Sequence, residues 1–314
     1  MEPEHIHGLI AAPFTPFHKD GSLHLELISE YYQLLRQNNV KGAFICGSTG
    51  EGVSLTMKEK MKVAEAWATV TKDDAHFRVI TLAGGNCITE SAEIARHAAS
   101  CGLEAVAFTS PSYFKPVSVE ALAVCCAIVA MAAPELPFYY YHIPVLTGVD
   151  FPMLSLLEQV DGKIPNFAGI KYTHEDFMDY GSCLHFRNGK YDMLWGRDET
   201  FLSALVLGAR GAVGSTFNYA APLYHELIQA YNQGEVETAR AKQQQAVNMI
   251  GLLGKYGGIA TGKAFMKEVG LDCGEFRLPV LNMSAQQSKA FKKDVKAVGF
   301  DNFRSRLATE SIAG

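Results

Sequence analysis

The chain has 314 residues, 48% hydrophobic and 19% charged, and its 28 Lys+Arg against 33 Asp+Glu leave a formal net charge of −5. A chain of this size buries roughly three quarters of its unfolded surface, enough for one large core or two modest ones, so a miniprotein that needs staples is excluded. No block of five or six like charges occurs, which gives no support to a nucleic-acid footprint or a polybasic membrane patch and leaves small molecules or copies of the chain as expected partners.

The N-terminus, MEPEHIHGLI, begins acidic and shows no basic stretch followed by an apolar one, so no signal peptide is expected. The first strand is predicted at HGLIAAPF from His7, and the following helix sets Leu25, Ile28, Tyr32 and Leu35 at helical spacing. GAFICG from Gly42 is the second strand. A helix follows whose opening Thr56 and Glu59 have capping-box spacing. FRVITLAG from Phe77 and AVAFTS from Ala105 are the third and fourth strands. The apolar run from Ala121 to Ala133, closed by Pro134, is shorter than the roughly 20 residues that cross a bilayer and is read as a buried helix. Four more strands are predicted at LPFYYYHI from Leu136, FAGIKYT from Phe167, YDMLWG from Tyr191 and GAVGST from Gly211. After Tyr219 only helical patterns remain, one of them from about Glu235 to Gly254.

Strands alternating with helices argue an α/β fold, and eight of them match a TIM (β/α)₈ barrel with a C-terminal helical extension. A doubly wound sheet is disfavoured because the first turn, AAPFTPF, lacks GxGxxG. The expected division is a catalytic barrel over 1–220, with the last barrel helix and the extension over 221–314. The seven cysteines are odd in number and form no CxxC pair, which reads as free thiols in a reducing cytoplasm.

In such a barrel the reacting groups stand where strands end. Lys171, inside an apolar strand, is the sharpest signal, because burying an ammonium is costly unless it is paired or loses its proton. A desolvated amine is a nucleophile toward carbonyl carbon; the competing reading is an ion pair with Glu175 or Asp176. Tyr141, on the preceding strand, has the chemistry to relay protons beside that amine, although three tyrosines in a row are also explained by packing. GSTGE, with Ser48 and Thr49, offers hydroxyls and backbone amides to a carboxylate or phosphate, or is only a turn. GRDE, from Gly196 through Asp198 and Glu199, offers carboxylates to a polyol, or is a solvated helix start. GGIATGKA at 257–264 has Walker A spacing but puts Ala264 where Ser or Thr must meet magnesium, so nucleotide binding is discounted. With no HExxH and no cysteine at ligand spacing, no metal site is expected.

The ordered set of GSTGE, a Tyr before an IP turn, and Gly-x-Lys resembles the pyruvate-dependent class I aldolase family of N-acetylneuraminate lyase and dihydrodipicolinate synthase, from about Gly8 to the C-terminal helices. Three details are similar to the sialic acid lyase branch: Leu146 where the synthases usually carry Arg, Ser48 in place of Thr, and GRDE followed by GAVGST. The resemblance implies that Lys171 forms a Schiff base with the keto acid sugar, that Tyr141 moves protons, and that Ser48 and Thr49 hold the carboxylate. It also implies that Thr173, Gly196, Asp198, Glu199 and Ser215 meet the hydroxyl tail, and that Tyr113 reaches a neighbouring subunit's site in a homo-oligomer, commonly a tetramer. No cofactor is implied, since the amine is the electron sink. The products implied are pyruvate and N-acetylmannosamine. Arg197 stands where some lyases carry an aromatic residue, which leaves the preferred tail open. The rival readings are another pyruvate aldolase, such as a 2-keto-3-deoxy sugar acid aldolase or dihydrodipicolinate synthase, and a non-catalytic sialic acid-binding homologue.

Overall fold

A computed structural model describes residues 4–307; the ends of the two expected segments, 1–3 and 308–314, lie outside the described residues. The first half runs β1 (Gly8–Ala11), α1 (Leu27–Gln37), β2 (Gly42–Ile45), α2 (Met57–Thr71), β3 (Arg78–Leu82), α3 (Ile88–Ser100), β4 (Ala105–Thr109) and α4 (Val119–Ala130). The second half runs β5 (Phe138–His142), the single turn α5 (Pro144–Thr147), α6 (Met153–Val160), β6 (Phe167–Tyr172), α7 (Phe177–His185), β7 (Asp192–Trp195), α8 (Phe201–Leu207), β8 (Gly211–Gly214) and α9 (Phe217–Asn232). Three further helices, α10 (Val236–Lys255), α11 (Thr261–Glu268) and α12 (Ala285–Ala297), form the C-terminal extension.

The eight strands pair in chain order, all parallel, and β8 closes on β1 with Gly8 opposite Gly211 and Ala11 opposite Gly214. This is the expected TIM barrel, and each predicted strand overlaps an observed one. Alternation along the strands sends Ile10, Phe44, Ile80, Ala107, Tyr139, Tyr141 and Val213 into the barrel, while Leu9, Ile45, Val79, Phe108 and Tyr140 face the helices. The Thr56–Glu59 capping box forms, with the Glu59 amide donating to Thr56 Oγ1 at 3.2 Å and the Thr56 amide to Glu59 Oε2 at 2.9 Å.

One helix reading is extended and one needs correction. In α1, Ile28 and Leu35 are buried and Tyr32 packs partly buried against the core, its hydroxyl donating to Asp74 Oδ2 at 2.8 Å; Tyr31 is fully buried as well, and Leu25 lies just before the helix. In α4, Leu122, Cys126 and Val129 are buried, but Val124 is 60% and Ile128 49% exposed, so the helix is apolar all round without being buried all round. Apolar composition hides the amphipathic period that normally marks the inner face.

One irregularity aims the chemistry. Between β5 and β6 the register shifts: Phe138 stands opposite Phe167, but Tyr139 stands opposite Gly169, which leaves Ala168 as an extra residue. Ala168 packs inside the barrel, Ile170 and Tyr172 outside. Without the bulge, an inward Ala168 would put Lys171 on the helix side; with it, Lys171 turns into the barrel. Gly169 permits this, because a Cβ at that position would collide with the Asp192 carbonyl of β7.

Candidate active site

Lys171 lies at the C-terminal end of β6, only 4% exposed, with Nζ 4.2 Å from the centre of the Phe44 ring and 4.1 Å from that of Tyr141. Burial pulls its amine down from the usual lysine range to about 7, with the nearby Asp198 charge working the other way. At neutral pH a large share of this amine is therefore unprotonated and nucleophilic. The alternative pairing is not formed: Glu175 pairs with Arg197, and Asp176 caps α7 by accepting from the Asp179 amide at 3.0 Å.

Tyr141 is the strand partner of Lys171. Of the three consecutive tyrosines, Tyr140 packs under the helices. Tyr139 points to the opposite end of the barrel interior, where its hydroxyl donates to Asp192 at 2.9 Å. Tyr141 packs edge-on against Phe44 at 5.5 Å between ring centres. Burial raises its phenol above the ordinary range, while the hydroxyls of Ser48 and Thr173 beside it lower it.

GSTGE forms the tight turn after β2. The backbone N–H groups of Ser48 and Thr49 donate to no acceptor among the described residues, as an anion-binding loop requires. The turn's Glu51 is not a free acid. It accepts from Lys263 Nζ at 2.8 Å and from the Arg277 amide at 2.8 Å, and both members of the Glu51–Lys263 pair are almost solvent-free. Lys263 also donates to the Glu275 carbonyl at 3.0 Å. The Walker-like stretch thus supplies the cation that ties the GSTGE turn to the C-terminal extension.

At the far side, Asp198 is 5% exposed rather than solvated, and its Oδ2 accepts from the Thr216 amide at 2.9 Å and hydroxyl at 2.6 Å. Burial raises its carboxyl to about 6, against those hydrogen bonds. Gln243 of α10 clamps the segment, accepting from the Leu202 amide at 2.8 Å and donating to the Asp198 carbonyl at 3.1 Å. Arg197 bridges Glu175 and Glu199, with Nε 3.0 Å from Glu199 Oε1. Gly196 lets β7 pass close to Thr173, whose Oγ1 a Cβ would strike. That Oγ1 is buried and has no hydrogen-bond partner among the described residues.

Ser48, Thr49, Tyr141, Lys171, Thr173, Gly196, Asp198, Glu199 and Ser215 all line one cavity of about 260 Å³ at the C-terminal mouth of the barrel. Tyr113 does not: it is 81% exposed, with its ring edge-on to Phe114 at 5.1 Å. A smaller hollow of about 100 Å³ shares Ser48, Tyr141, Ile143 and Leu146 with the first and runs on to Asn86 and Ser112. A larger hollow, about 360 Å³, opens beside Asp192 and Arg210 at the other end of β7, but no lysine lines it. Sequence reasoning missed Thr216 and the walls that the extension supplies, Ile250, Leu253 and Ile259. Thr216 follows Ser215 in the quoted GAVGST segment, so a signal was present; the three apolar residues carry none that sets them apart from core.

The dihydrodipicolinate synthetase family model matches residues 5–298. The N-acetylneuraminate lyase of Danio rerio is 38% identical over 292 residues, covering 92% of this chain and 95% of that protein. The N-acetylneuraminate lyase of Homo sapiens is 38% identical over 304 residues, covering 95% and 94%. Among solved structures, the Proteus mirabilis N-acetylneuraminate lyase superposes with a TM-score of 0.91 at 37% identity, covering 95% of this chain and 100% of that one.

Proposed function

The chain belongs to the dihydrodipicolinate synthetase family, and we infer from its site that it is a Schiff-base aldolase reversibly cleaving N-acetylneuraminate to pyruvate and N-acetylmannosamine. The observation that carries this reading is Lys171: a buried amine, held near 7, against Tyr141 in the cavity that the GSTGE turn lines.

The chemistry follows from the groups present. Lys171 Nζ adds to the C2 ketone of the open-chain sugar acid, and the carbinolamine loses water to give an iminium. Tyr141 takes the C4 hydroxyl proton as its own phenol proton passes to the substrate carboxylate, which holds it for return to C3. The C3–C4 bond breaks, its electron pair enters the iminium to form an enamine, and N-acetylmannosamine leaves as the aldehyde. Protonation at C3 and addition of water release pyruvate and restore the amine. Because the iminium is the electron sink, the reaction draws on no cofactor.

The remaining residues take positions suited to binding. Ser48 and Thr49 offer their uncommitted backbone amides to the carboxylate, with their hydroxyls beside them, fixing the ketone over Lys171. Asp198 Oδ2 is occupied by Thr216, which orients the other oxygen for the polyol tail along with Glu199, Ser215, Gly196 and the unpartnered Thr173 hydroxyl. Leu146 gives the cavity an apolar wall, and Arg197, which also lines it, is already paired with Glu175 and Glu199 rather than held out for a second carboxylate. That composition favours a sugar tail over a dicarboxylate partner.

The division we propose is a catalytic barrel over 1–220 and the last barrel helix with its extension over 221–314; α9 begins at Phe217, so this boundary falls within its first turn. Tyr113, Phe114 and Val117, 81%, 86% and 92% exposed, support a homo-oligomer in which Tyr113 reaches a neighbour's cavity; a tetramer is the assembly assigned. Seven free cysteines support a cytoplasmic setting. Among the described residues no helix is long and apolar enough to cross a membrane.

Pyruvate release from N-acetylneuraminate, assayed beside a 2-keto-3-deoxy sugar acid, tests the assignment. The first substrate is expected to turn over with the higher kcat/KM. A preference for the second would move the protein to a neighbouring aldolase activity.

A further inference from the structure

The loop after β1 folds into a short antiparallel hairpin that the aldolase chemistry does not use. Phe17 pairs with Leu23, the His18 amide donates to the Ser22 carbonyl at 2.8 Å, and the His24 amide donates to the Pro16 carbonyl at 2.9 Å. With Phe17 and Leu23 on one face, strand alternation puts His18 and His24 together on the other, diagonally across the pair. Their rings stack at 4.2 Å between centres with a tilt of 28°. Glu26 completes the group, its Oε2 4.0 Å from His18 Nε2, and one donor atom from each of the three residues lies within 4.8 Å of the others.

The hairpin is held from behind. Phe17 is buried under the Arg277 guanidinium, 4.3 Å from its ring centre, and Arg277 donates to the Gly21 carbonyl at 2.7 Å while pairing with Glu59 at 2.6 Å. Asp20 Oδ1 closes the tip by accepting from the Ser22 amide at 2.9 Å. The two imidazoles thus project from a fixed backbone, and only side-chain rotation separates the present spacing from that of a metal sphere. Zinc with bonds of about 2.0–2.2 Å to nitrogen and oxygen sets tetrahedral donors about 3.3 Å apart, and the exposed Glu26 can swing that distance.

We propose that the outer face of this hairpin binds one divalent transition-metal ion through His18, His24 and Glu26, with water completing the sphere. Two imidazoles and one carboxylate suit zinc and its neighbours in the first transition row and are poor ligands for magnesium or calcium. The site stands apart from the Lys171 cavity. Through Phe17 it rests on Lys263, whose amine lies 4.5 Å from the Phe17 ring centre and pairs with Glu51, so a bound ion would stiffen the support of the GSTGE turn.

The test is calorimetric titration of the metal-free full-length protein with zinc chloride, for the natural chain and for the His24→Ala, Glu26→Gln and His7→Ala variants. One ion per chain is expected, with affinity at least about tenfold weaker in His24→Ala, clearly weaker in Glu26→Gln and unchanged in His7→Ala. Zinc should raise the melting temperature of the natural chain and not that of His24→Ala. Absence of a one-to-one site, or equal affinity in the natural chain and His24→Ala, would overturn the proposal. His18 and His24 are on the surface hairpin and Glu26 precedes the first turn of α1, and unchanged melting temperatures without zinc would show that the variants are folded.

Discussion

Lys171 and Tyr141 are directly opposed on neighbouring strands, and the lysine amine rests 4.1 Å from the centre of the tyrosine ring. The phenol ring and Phe44 desolvate the amine, while Asp198 is the charge that opposes the loss of its proton. Nucleophile and proton relay are therefore set by one strand register.

The first prediction concerns pH. Because the Lys171 amine is held near 7 in the folded protein against an ordinary value of 10.5, imine formation with pyruvate should rise with pH to a midpoint near 7 and fall about tenfold per unit below it. Asp198→Asn removes the charge that raises this pKa, so its midpoint should move lower. Stability carries the same sign: the cost of burying the ammonium is absent above about 10.5 and grows as pH falls to about 7. Lys171→Met should accordingly gain more stability at pH 7 than at pH 10, read by urea unfolding. A midpoint near 10 for imine formation would contradict the burial argument.

Tyr141→Phe keeps the ring against Phe44 and removes only the hydroxyl. We expect kcat to fall about 10²–10⁴-fold with the melting temperature and pyruvate binding little changed. Equal losses in kcat and in pyruvate binding would assign Tyr141 to packing.

Gly169→Ala tests the bulge. The added methyl meets the Asp192 carbonyl, so β6 must shift against β7, at a cost of about 1–3 kcal/mol typical of overpacking. Lys171 should lose its aim, and imine formation should fall further than stability does. Unimpaired imine formation would show that the bulge does not orient the lysine.

Lys263→Met leaves Glu51 buried without its cation. Removing one partner of such a pair costs about 3–5 kcal/mol, and the companion change Glu51→Gln should recover part of it, both read by denaturant unfolding. Pyruvate should also bind more weakly, because the GSTGE turn loses its anchor. A negligible change in both would remove the clamp from the account.

How much of this was legible beforehand depends on where each signal lives. The strands were readable because β-branched and aromatic runs alternate with helical patterns, and Lys171 stood out as a charge in an apolar strand. Its direction was not readable: the bulge at Ala168 reverses the face, and it shows only in the pairing of β6 with β5. The Glu51–Lys263 pair joins residues 212 positions apart, so GSTGE and the Walker-like stretch looked like unrelated features. Ile250 and Leu253 look like ordinary helix core until α10 is seen to wall the cavity. Arg197 stands out in the sequence, but its pairing with Glu175 and Glu199 depends on two loops lying side by side. Tyr31 and Tyr32 are adjacent and differ by only about 100° around the helix, too little for spacing alone to choose between them.

The proposed chemistry turns on Lys171 forming the imine. Sodium borohydride added with pyruvate, and separately with N-acetylneuraminate, followed by peptide mapping, tests it most directly. We expect a stable carboxyethyl adduct on Lys171 with either compound, loss of activity in step with labelling, and no adduct in Lys171→Met. An adduct on another lysine, or none while cleavage proceeds, would contradict the account.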